Sequence, residues 1–564
     1  MPSASVDASR FYLYDEITAY LRGVAEEFPG LVRLESIGKS FEGRDIWLLE
    51  VTNAATGPAS EKPATWVDAN IHAGEVTASV SALCLIETLT TGYGSDEAVT
   101  RLLDRSAFYI VPRLNPDGAE LYLTTPTMLR SSVRPYPFED EREGLYPYDV
   151  DGDGLILQMR VPDQKGAWKV SARDPRLMRP RGHDEEGGSY YRLMPEGMVR
   201  DYNGFTFNPA PPRHGLDLNR SFPYDWAPEG EQRGAGPHPL SEPETRAVAE
   251  FFATHPNINA VQTYHTMSGV LLRPYDDKPD DAFPTHDLGV YKALGQRGTE
   301  LTGWPHESVF HGFRYDPKST THGGFDTWAY DHLGIFAFTN ELWDPIGMAG
   351  VGTAGEHGVM KRDFIGWFRE HPEEDDLKVL AFHDQHELGL YHAWRRFEHP
   401  QLGEVEIGGW DHKRFWQNAP AKFLPDVARR NALFTLSHAA ANPRLRVKRL
   451  EAHPVAGDAY RVVCVLENDG FLPTYTSARA QERKAVQPIR VTLALPEGGV
   501  LVSGERAQDA GQLEGRSNKR HGESGATDQE RKLEWVVRAP AGSEVRVEAV
   551  SQRAGTARAA VTLG

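Results

Sequence analysis

Cysteine is almost absent from this chain, since Cys84 and Cys464 are the only two among 564 residues. Two thiols cannot build a disulfide framework, so the stability of the fold must come from a hydrophobic core. Both cysteines lie within apolar runs, which favours buried core thiols over catalytic ones. The sequence therefore excludes a fold that depends on disulfides.

The chain also lacks a long apolar run and a block of basic residues. No segment approaches the roughly 20 apolar residues that span a bilayer, and the N-terminal MPSASVDASRFYLYDEI has no basic region followed by an apolar stretch. The formal net charge is −19, whereas nucleic acids and anionic membranes bind clustered basic faces. We expect a cytoplasmic protein with no nucleic-acid or membrane partner, and the oligomeric state is left open.

The first two-thirds of the sequence alternates short apolar runs with longer helical patterns, which is typical of an α/β layer structure. The motif Ser241-Glu242-Pro243-Glu244 has the spacing of a capped helix start. The candidate strands are residues 45–52, 64–71, 107–112, 259–264 and 335–339, and the candidate helices are residues 76–89, 240–253, 285–302 and 359–370.

Two regions depart from this alternation. From about residue 131 to 214 the chain is polar and rich in Pro, Gly, Arg and Asp. This stretch is too long for an ordinary connection between two elements, so we expect it to be an insertion near the functional site. From about residue 444 the periodicity becomes two, which predicts a small β-sandwich. We therefore expect an α/β domain over residues 1–440 and an accessory β-sandwich domain over residues 441–564.

Histidine and glutamate side chains follow three of the predicted strands. The first strand leads through WVDANIHAGE to His72 and Glu75. The second ends in YHTMSG with His265, and the third leads directly to Glu341. Imidazole and carboxylate are ordinary zinc ligands, although a helix-start glutamate is also favoured by the helix dipole alone. Four such side chains at strand ends indicate one convergent site at an edge where α/β sheets bind ligands.

The order of the motifs resembles that of the zinc carboxypeptidase family, the carboxypeptidase A/B-like metallopeptidases. The similarity covers roughly residues 10–395 and consists of NIHAGE, LNPDG, LDLNR, TYHT and GGFDTWAYDHLGIFAFTNEL, in the family's order. This resemblance implies a mixed central sheet flanked by helices, one zinc ion and a peptide substrate. It implies hydrolysis of amide bonds, with release of a residue from the C-terminal end of a peptide.

The resemblance also implies roles for the catalytic residues. Zinc would be bound by His72, Glu75 and His265, and Glu341 would be the general base that removes a proton from the attacking water. Arg130 stands 15 residues after the asparagine of LNPDG, at the interval where the family places an arginine. Its fixed positive charge would stabilise the tetrahedral intermediate.

Further matches imply contacts with the substrate. Asn219 and Arg220 would bind the free carboxylate of the substrate, since a guanidinium suits bidentate pairing. Asp326, 15 residues before Glu341, would line the side-chain pocket and favour a basic terminal residue; alternatively, it is a structural aspartate displaced by one position. Asp217 is either a partner of a zinc histidine or a turn aspartate.

Two departures from the family pattern keep other functions open. Gly74 replaces the usual arginine of the metal motif, and Ser319 stands where a substrate-covering tyrosine is expected, with Tyr315 nearby. The alternatives are a zinc amidase acting on a modified or cell-wall-type peptide, and a non-catalytic peptide-binding module. The binding module would require the loss of Glu341 or of a ligand, and none is missing.

The insertion contains a separate acidic motif, DVDGDG. Asp149, Asp151 and Asp153 alternate before Gly154, as in the opening half of a calcium-binding loop. Position twelve from Asp149 is Arg160 rather than glutamate. Both a calcium site and a solvated Asp-Gly turn remain open for this segment.

Overall fold

A computed structural model describes residues 5–205, 208–355, 359–518 and 528–564. Its α-helices are α1 (Tyr14–Glu27), α2 (Val76–Gly92), α3 (Glu97–Arg105), α4 (Pro116–Thr124), α5 (Pro243–Thr254), α6 (Thr285–Thr302), α7 (Val309–Gly312), α8 (Phe325–Leu333), α9 (Pro345–Met348), α10 (Phe364–Arg369), α11 (Glu373–Gln385), α12 (Leu424–Ala440) and α13 (Ala478–Glu482).

The strands before residue 350 are β1 (Val32–Lys39), β2 (Asp45–Val51), β3 (Ala64–Ala69), β4 (Ala107–Val111), β5 (Gly144–Pro147), β6 (Gln158–Pro162), β7 (Trp168–Val170), β8 (Met178–Pro180), β9 (Tyr191–Pro195), β10 (Gly197–Arg200), β11 (Ile258–Thr266), β12 (Val270–Arg273), β13 (His306–Ser308) and β14 (Phe336–Leu342). Those after it are β15 (Thr353–Ala354), β16 (Met360–Lys361), β17 (Tyr391–His399), β18 (Gly403–Trp410), β19 (Leu445–Ala456), β20 (Ala459–Asn468), β21 (Arg490–Ala494), β22 (Val500–Ser503), β23 (Ala507–Asp509), β24 (Glu530–Arg538), β25 (Glu544–Ser551) and β26 (Gly555–Thr562).

A mixed eight-stranded sheet forms the centre of the molecule, in the order β1-β2-β4-β3-β11-β14-β12-β13. Its middle strands β4, β3, β11 and β14 run parallel and are buried along their whole length. Such burial requires cover on both faces. Helix α12 packs on α2 and α6, while Phe252 of α5 contacts Trp66 of β3. The predicted α/β sheet flanked by helices is confirmed.

The register of the parallel strands brings the chemically reactive residues to one edge. Strand β11 pairs with β14 so that His265 lies opposite Glu341. On the other side, Tyr264 of β11 lies opposite Ala69, the last residue of β3. The chain leaving β3 therefore delivers His72 beside His265, at the carboxyl edge where open α/β sheets bind ligands.

Two predicted helices differ from the structure at their starts. Helix α5 begins at Pro243, with Glu242 rather than Ser241 at its N-cap, and the Ser241 hydroxyl donates to the Glu242 carboxylate instead. The predicted helix over residues 359–370 is wrong in its first half. That part contains β16, and α10 starts only after Asp363, whose carboxylate accepts a hydrogen bond from the Gly366 amide.

The insertion between residues 131 and 214 has its own sheet. Strands β6, β7, β8 and β9 join β17 and β18 in the order β17-β18-β6-β9-β7-β8. Strand β18 comes from far along the chain, and pairs with β6 through Ile407 and Met159. A small apolar core beneath the sheet includes Leu157, Met159 and Val405. The insertion is thereby fixed to the segment that follows α11.

The C-terminal part of the chain forms two four-stranded sheets, β19-β20-β24-β22 and β23-β21-β25-β26. Along β25, buried and less buried residues alternate, because alternate side chains of a strand point to opposite faces. The buried faces meet in a separate core around Trp535. The β-sandwich prediction is confirmed, whereas the division into domains at residue 440 stays a prediction.

Arg553 ties this β-sandwich to the central sheet. Its guanidinium donates to the carbonyl oxygens of Ile258, at the start of β11, and of Leu333, at the end of α8. In return, the Asn259 side chain donates to the Arg553 carbonyl over 2.8 Å. Burial lowers the pKa of Arg553 to about 10. The contact supports two elements that lead into the site.

No helix within the described part of the chain is long and apolar enough to cross a membrane.

Replacing Arg553 by methionine is expected to destabilise the protein by about 2–4 kcal/mol, because two buried carbonyl groups lose their hydrogen-bond donor. Arg558→Met is the matched control. Arg558 also bridges the β-sandwich to the α/β part of the chain, through Glu61, but its side chain is 54% exposed, so the loss should be at most about 1 kcal/mol. Thermal and urea unfolding would measure both. Equal effects of the two substitutions would contradict the importance of the Arg553 contact.

Candidate metal centre and active site

Two histidines and one glutamate converge at the carboxyl edge of the sheet. His72 Nδ1 lies 2.9 Å from Glu75 Oε1, and His265 Nδ1 lies 3.0 Å from His72 Nδ1. The other oxygen of Glu75 lies 3.0 Å from His265 Nδ1. All three side chains are buried. Glu75 is the N-cap residue of α2, so the strand–turn–helix geometry aims its carboxylate at the two imidazoles.

The spacing of these donor atoms fits a tetrahedral zinc ion. Zinc bonds of about 2.0–2.2 Å in a tetrahedral arrangement place two ligand atoms about 3.3–3.6 Å apart, a few tenths of an ångström more than the separations of 2.9 and 3.0 Å between the side chains. Burial acts to raise the pKa of the Glu75 carboxyl, but His72 and His265 outweigh it and hold this pKa well below its usual range. The carboxylate is therefore ionised and available as a ligand.

Each histidine is oriented by a partner on its other ring nitrogen. His72 Nε2 lies 3.0 Å from Asp217 Oδ1, and His265 Nε2 lies 3.2 Å from the Thr263 hydroxyl. That hydroxyl in turn donates to the buried Asp68. Such partners fix the ring and leave Nδ1 facing the centre. Asp217 also accepts from the Asn219 amide, as a turn aspartate does, so it is a partner of His72 and a turn residue at once.

Glu341 lies beside the cluster without belonging to it. It lines a pocket of about 40 Å³ together with His72 and His265, and its Oε2 atom is buried with no hydrogen-bond partner among the residues that the structure describes. Burial and the nearby Glu75 raise the pKa of the Glu341 carboxyl well above its usual range. An unpartnered buried carboxylate is costly, so this oxygen is suited to exchange a proton with a bound molecule.

Arg130 extends its guanidinium over the same cluster. Its Nη1 atom donates to Glu75 Oε1 and its Nε atom to Asp217 Oδ2, both over 3.1 Å. The side chain is 42% exposed. Its charge therefore lies at the mouth of the pocket, where it can face a bound substrate.

Asn219 and Arg220, which follow Asp217 closely in the chain, also line the pocket. The Asn219 side-chain oxygen accepts from the Phe325 amide over 2.8 Å. Within the described residues, the Arg220 guanidinium pairs with no carboxylate and donates only to the Asn219 carbonyl. Gly323 makes this arrangement fit, because a side chain there would place Cβ 2.2 Å from the Arg220 carbonyl oxygen. The free guanidinium is suited to bind an anion.

The two departures from the family pattern have structural counterparts. A Cβ atom at Gly74 would lie 2.6 Å from the Gln417 side chain, so that side chain occupies the space beside the metal motif. Tyr315 lines the pocket together with Glu341. Ser319, in contrast, lines only a neighbouring cleft. Tyr315 is thus the tyrosine that the structure brings to the pocket.

Asp326 lines the pocket together with a second aspartate that the sequence analysis missed, Asp276. Asp326 accepts from the Thr339 hydroxyl and the Thr327 amide, whereas one Asp276 oxygen is buried and has no hydrogen-bond partner in the described part of the chain. Burial, followed by the neighbouring Asp326, raises the pKa of Asp276 well above its usual range. Asp276 follows the apolar strand β12 closely, as Glu341 ends β14. The rule that identified Glu341 does not reach Asp276, because β12 runs antiparallel to β14 and its end points towards the opposite edge of the sheet.

The three aspartates of DVDGDG form a separate cluster in the insertion. Asp149 accepts hydrogen bonds from the Gly152 and Gly154 amides, as expected for an Asp-Gly turn. The Arg395 guanidinium of β17 pairs with both Asp151 and Asp153. The positive charge of Arg395 therefore already contacts carboxylate oxygens of Asp151 and Asp153 that a calcium ion would need as ligands.

Replacing His72 or His265 by alanine is expected to lower zinc affinity strongly, because each change would remove one of the three side chains of the cluster that could bind the ion. Metal analysis after dialysis against zinc buffers of graded free concentration would measure the loss. His453→Ala is the control, since this histidine lies exposed on β19. Unchanged zinc affinity in both ligand variants would refute the assignment.

Comparison with known proteins shows related sequences over the same region. A sequence model described as zinc carboxypeptidase matches residues 17–348, more than half of the chain. A second model, a domain of unknown function, matches residues 444–562. Carboxypeptidase A2 of Mus musculus is 27% identical over 341 residues, which are 59% of this chain and 63% of that protein. Carboxypeptidase B of Homo sapiens is 27% identical over 353 residues, with the same coverage.

The chain thus matches less than two thirds of the length of these relatives. Among solved structures, one titled as thrombin activatable fibrinolysis inhibitor has 22% identity and a TM-score of 0.40, over 68% of this chain and 77% of that one. The match of residues 17–348, which contains the His72–Glu75–His265 cluster, shows that the chain belongs to the zinc carboxypeptidase family.

Proposed function

We propose that this protein is a zinc-dependent carboxypeptidase that releases the C-terminal residue of a peptide. The observation that carries the proposal is the convergence on one pocket of a zinc-compatible cluster, an unpartnered oxygen of Glu341 and the free guanidinium of Arg220. Hydrolysis needs the first two, and recognition of a terminal carboxylate needs the third. Family membership supports the same reaction class.

The chemistry follows from where the side chains lie. Zinc, when bound, supplies a Lewis acid to this pocket. Glu341 accepts a proton from the attacking water at Oε2 and later delivers it to the leaving amine. Arg130, at the pocket mouth, stabilises the negative charge that develops on the carbonyl oxygen of the scissile bond.

The terminal carboxylate of the substrate would bind on the Asn219–Arg220 side of the pocket. Because the Asn219 oxygen is engaged by the Phe325 amide, its NH₂ group is directed to donate elsewhere. Arg220 adds the paired donors of a guanidinium. Tyr315, on the rim of the pocket, would cover the bound residue.

Glu341→Gln is expected to keep zinc content near normal and to lower kcat by about 10²–10⁴-fold, because the amide cannot act as a base. Metal analysis and peptide hydrolysis by the same preparation would check both quantities. Near-native activity of the Glu341→Gln protein at full zinc occupancy would contradict the role of Glu341 as general base.

Peptides that differ only in a free or amidated C-terminus test the role of Arg220. The native protein should cleave only the free acid, and Arg220→Gln should raise KM for that peptide, because a charge-assisted pair with the carboxylate is lost. Equal cleavage of both peptides by the native protein would contradict a carboxypeptidase. It would favour the alternative of a zinc amidase acting on a modified or cell-wall-type peptide.

We also propose that Asp276 and Asp326 select a basic terminal residue. Two buried carboxylates in one pocket repel each other, and an Arg or Lys side chain would relieve that repulsion. Among otherwise identical peptides ending in Arg, Phe or Glu, the Arg peptide should have the highest kcat/KM. Asp276→Asn and Asp326→Asn should abolish the preference, whereas Asp277→Asn, which changes the adjacent residue bound to Tyr224, should keep it. Retained preference in the first two variants would exclude a basic pocket.

The same pair predicts how the preference depends on pH. Burial raises the pKa of both carboxyl groups, so they are neutral below the raised values and ionised above them. The preference for Arg over Phe should therefore grow as pH rises and disappear as pH falls through the raised pKa values. A ratio of kcat/KM values that does not change with pH would contradict this account.

For the DVDGDG segment, we propose that calcium can displace Arg395 from Asp151 and Asp153. Three carboxylates supply the hard oxygen ligands that calcium prefers. Millimolar calcium should then raise the thermal midpoint of the native protein, through binding to the folded state, and should have no effect on Asp151→Asn. If calcium does not change the thermal midpoint of the native protein either, the DVDGDG segment is an Asp-Gly turn closed by Arg395.

A further inference from the structure

A second, larger cleft opens beside the metal pocket. Its volume is about 1190 Å³, more than the roughly 300–1,000 Å³ of a typical small-ligand site. Arg130, Arg220, Tyr315 and Thr321 line both cavities. The cleft is therefore continuous with the proposed reaction site, and its volume is large enough to hold a part of the substrate beyond the residue that is released.

The insertion builds much of this cleft. Its residues 146–148, 198–200 and 212–214 line the cleft, together with residues 231–233 and 319–322 from other parts of the chain. Tyr148 and Met128 are exposed there, at 59% and 45% of their surfaces. Aromatic and thioether side chains offer adaptable contact surface for a peptide. The wall is thus suited to a chain rather than to a single small group.

Arg213 and Arg233 are exposed in this cleft and, within the described residues, form no ion pair. Some other exposed arginines, such as Arg461, also form no ion pair within the described residues, but many have a carboxylate partner. Elsewhere in the insertion, for example, Arg173 pairs with Glu374 and Arg192 with Asp163. The two cleft arginines are left available for a ligand.

The acidic side chains of the cleft do not cancel this charge. Glu141 pairs with Arg200, and Asp217 is engaged by Arg130 and His72. Glu231 is the remaining carboxylate in the lining. Against it stand Arg213, Arg220 and Arg233, so the cleft has an excess of positive charge in a chain whose net charge is −19.

We propose that this cleft binds an acidic segment of the peptide substrate, outside the terminal residue, through Arg213 and Arg233. The proposal rests on the carboxypeptidase function and deepens it by naming the substrate class: peptides with Asp or Glu residues away from the cleaved end. Without these arginines, the net negative charge of the protein would repel such peptides. With them, an acidic segment is attracted and held in register with the pocket.

Two peptides of equal length and identical terminal residue test the proposal. One has glutamate at each position more than two residues from the C-terminus, and the other has glutamine at those positions. The native zinc enzyme should cleave the glutamate peptide with a kcat/KM roughly tenfold higher, equivalent to about 1.4 kcal/mol, mainly through KM. Added NaCl should reduce the ratio, because salt screens exposed charges.

Variants locate the effect in the cleft. Arg213→Gln and Arg233→Gln should each reduce the glutamate-to-glutamine ratio, and the double variant should bring it near one. Arg461→Gln, which changes an arginine on the exposed face of β20, should leave the ratio unchanged. A native ratio near one, or a ratio that survives the double substitution, would overturn the proposal while leaving the carboxypeptidase function intact.

Binding separates this proposal from the reaction itself. The zinc-loaded Glu341→Gln protein should bind the glutamate peptide more tightly than the glutamine peptide by calorimetry, and the double cleft substitution should remove the difference. If the native enzyme hydrolyses neither peptide, the proposed function fails, and this binding difference still decides the role of the cleft. Equal affinities of this protein for the glutamate and glutamine peptides would contradict the proposed binding of an acidic segment in the cleft.

Discussion

The cluster of His72, Glu75 and His265 is the constraint on which the rest of the site depends. Two imidazole nitrogens and a carboxylate lie about 3 Å apart in a buried space, an arrangement that is costly unless a cation joins them. The register of β3, β11 and β14 produces it, because three parallel strands end at one edge. The register also places Glu341 opposite His265.

Most other features of the site act through this cluster. Asp217 connects the cluster to two neighbouring groups: it orients His72, accepts a hydrogen bond from Arg130 and begins the turn that presents Asn219. A substitution at Asp217 would therefore disturb the metal, the charge at the pocket mouth and the proposed carboxylate site together. Arg553 supports the same region from the far side, at the start of β11 and the end of α8.

The sequence allowed prediction of the parts that depend on local pattern. Apolar runs identified the parallel strands, and a polar residue directly after such a run identified His72, His265 and Glu341. Period-two alternation identified the β-sandwich. The strands of the insertion could not be found this way, because β6 is paired with β18 from a segment more than two hundred residues later, and no short-range pattern records such a pairing.

Contacts between distant segments explain the other misses. The side chain that occupies the space beside Gly74 belongs to Gln417, and Asp276 becomes part of the pocket only because β12 lies beside β14 in the sheet. The prediction of a helix over residues 359–370 is wrong at its start for a local reason. The Asp363 carboxylate caps the N-terminus of α10, so the helix begins only at Phe364. Recognition by motif order pointed to the three side chains that the structure brings together as the His72–Glu75–His265 cluster, but the cleft beside this cluster is visible only in three dimensions.

X-ray absorption at the zinc K-edge of the zinc-loaded protein tests the central claim most directly. The account predicts a shell of nitrogen and oxygen ligands at about 2.0–2.2 Å, with the outer-shell scattering of two imidazole rings that disappears in part when His72 or His265 is replaced. A shell of oxygen atoms alone, with no imidazole signal in the native protein, would contradict it.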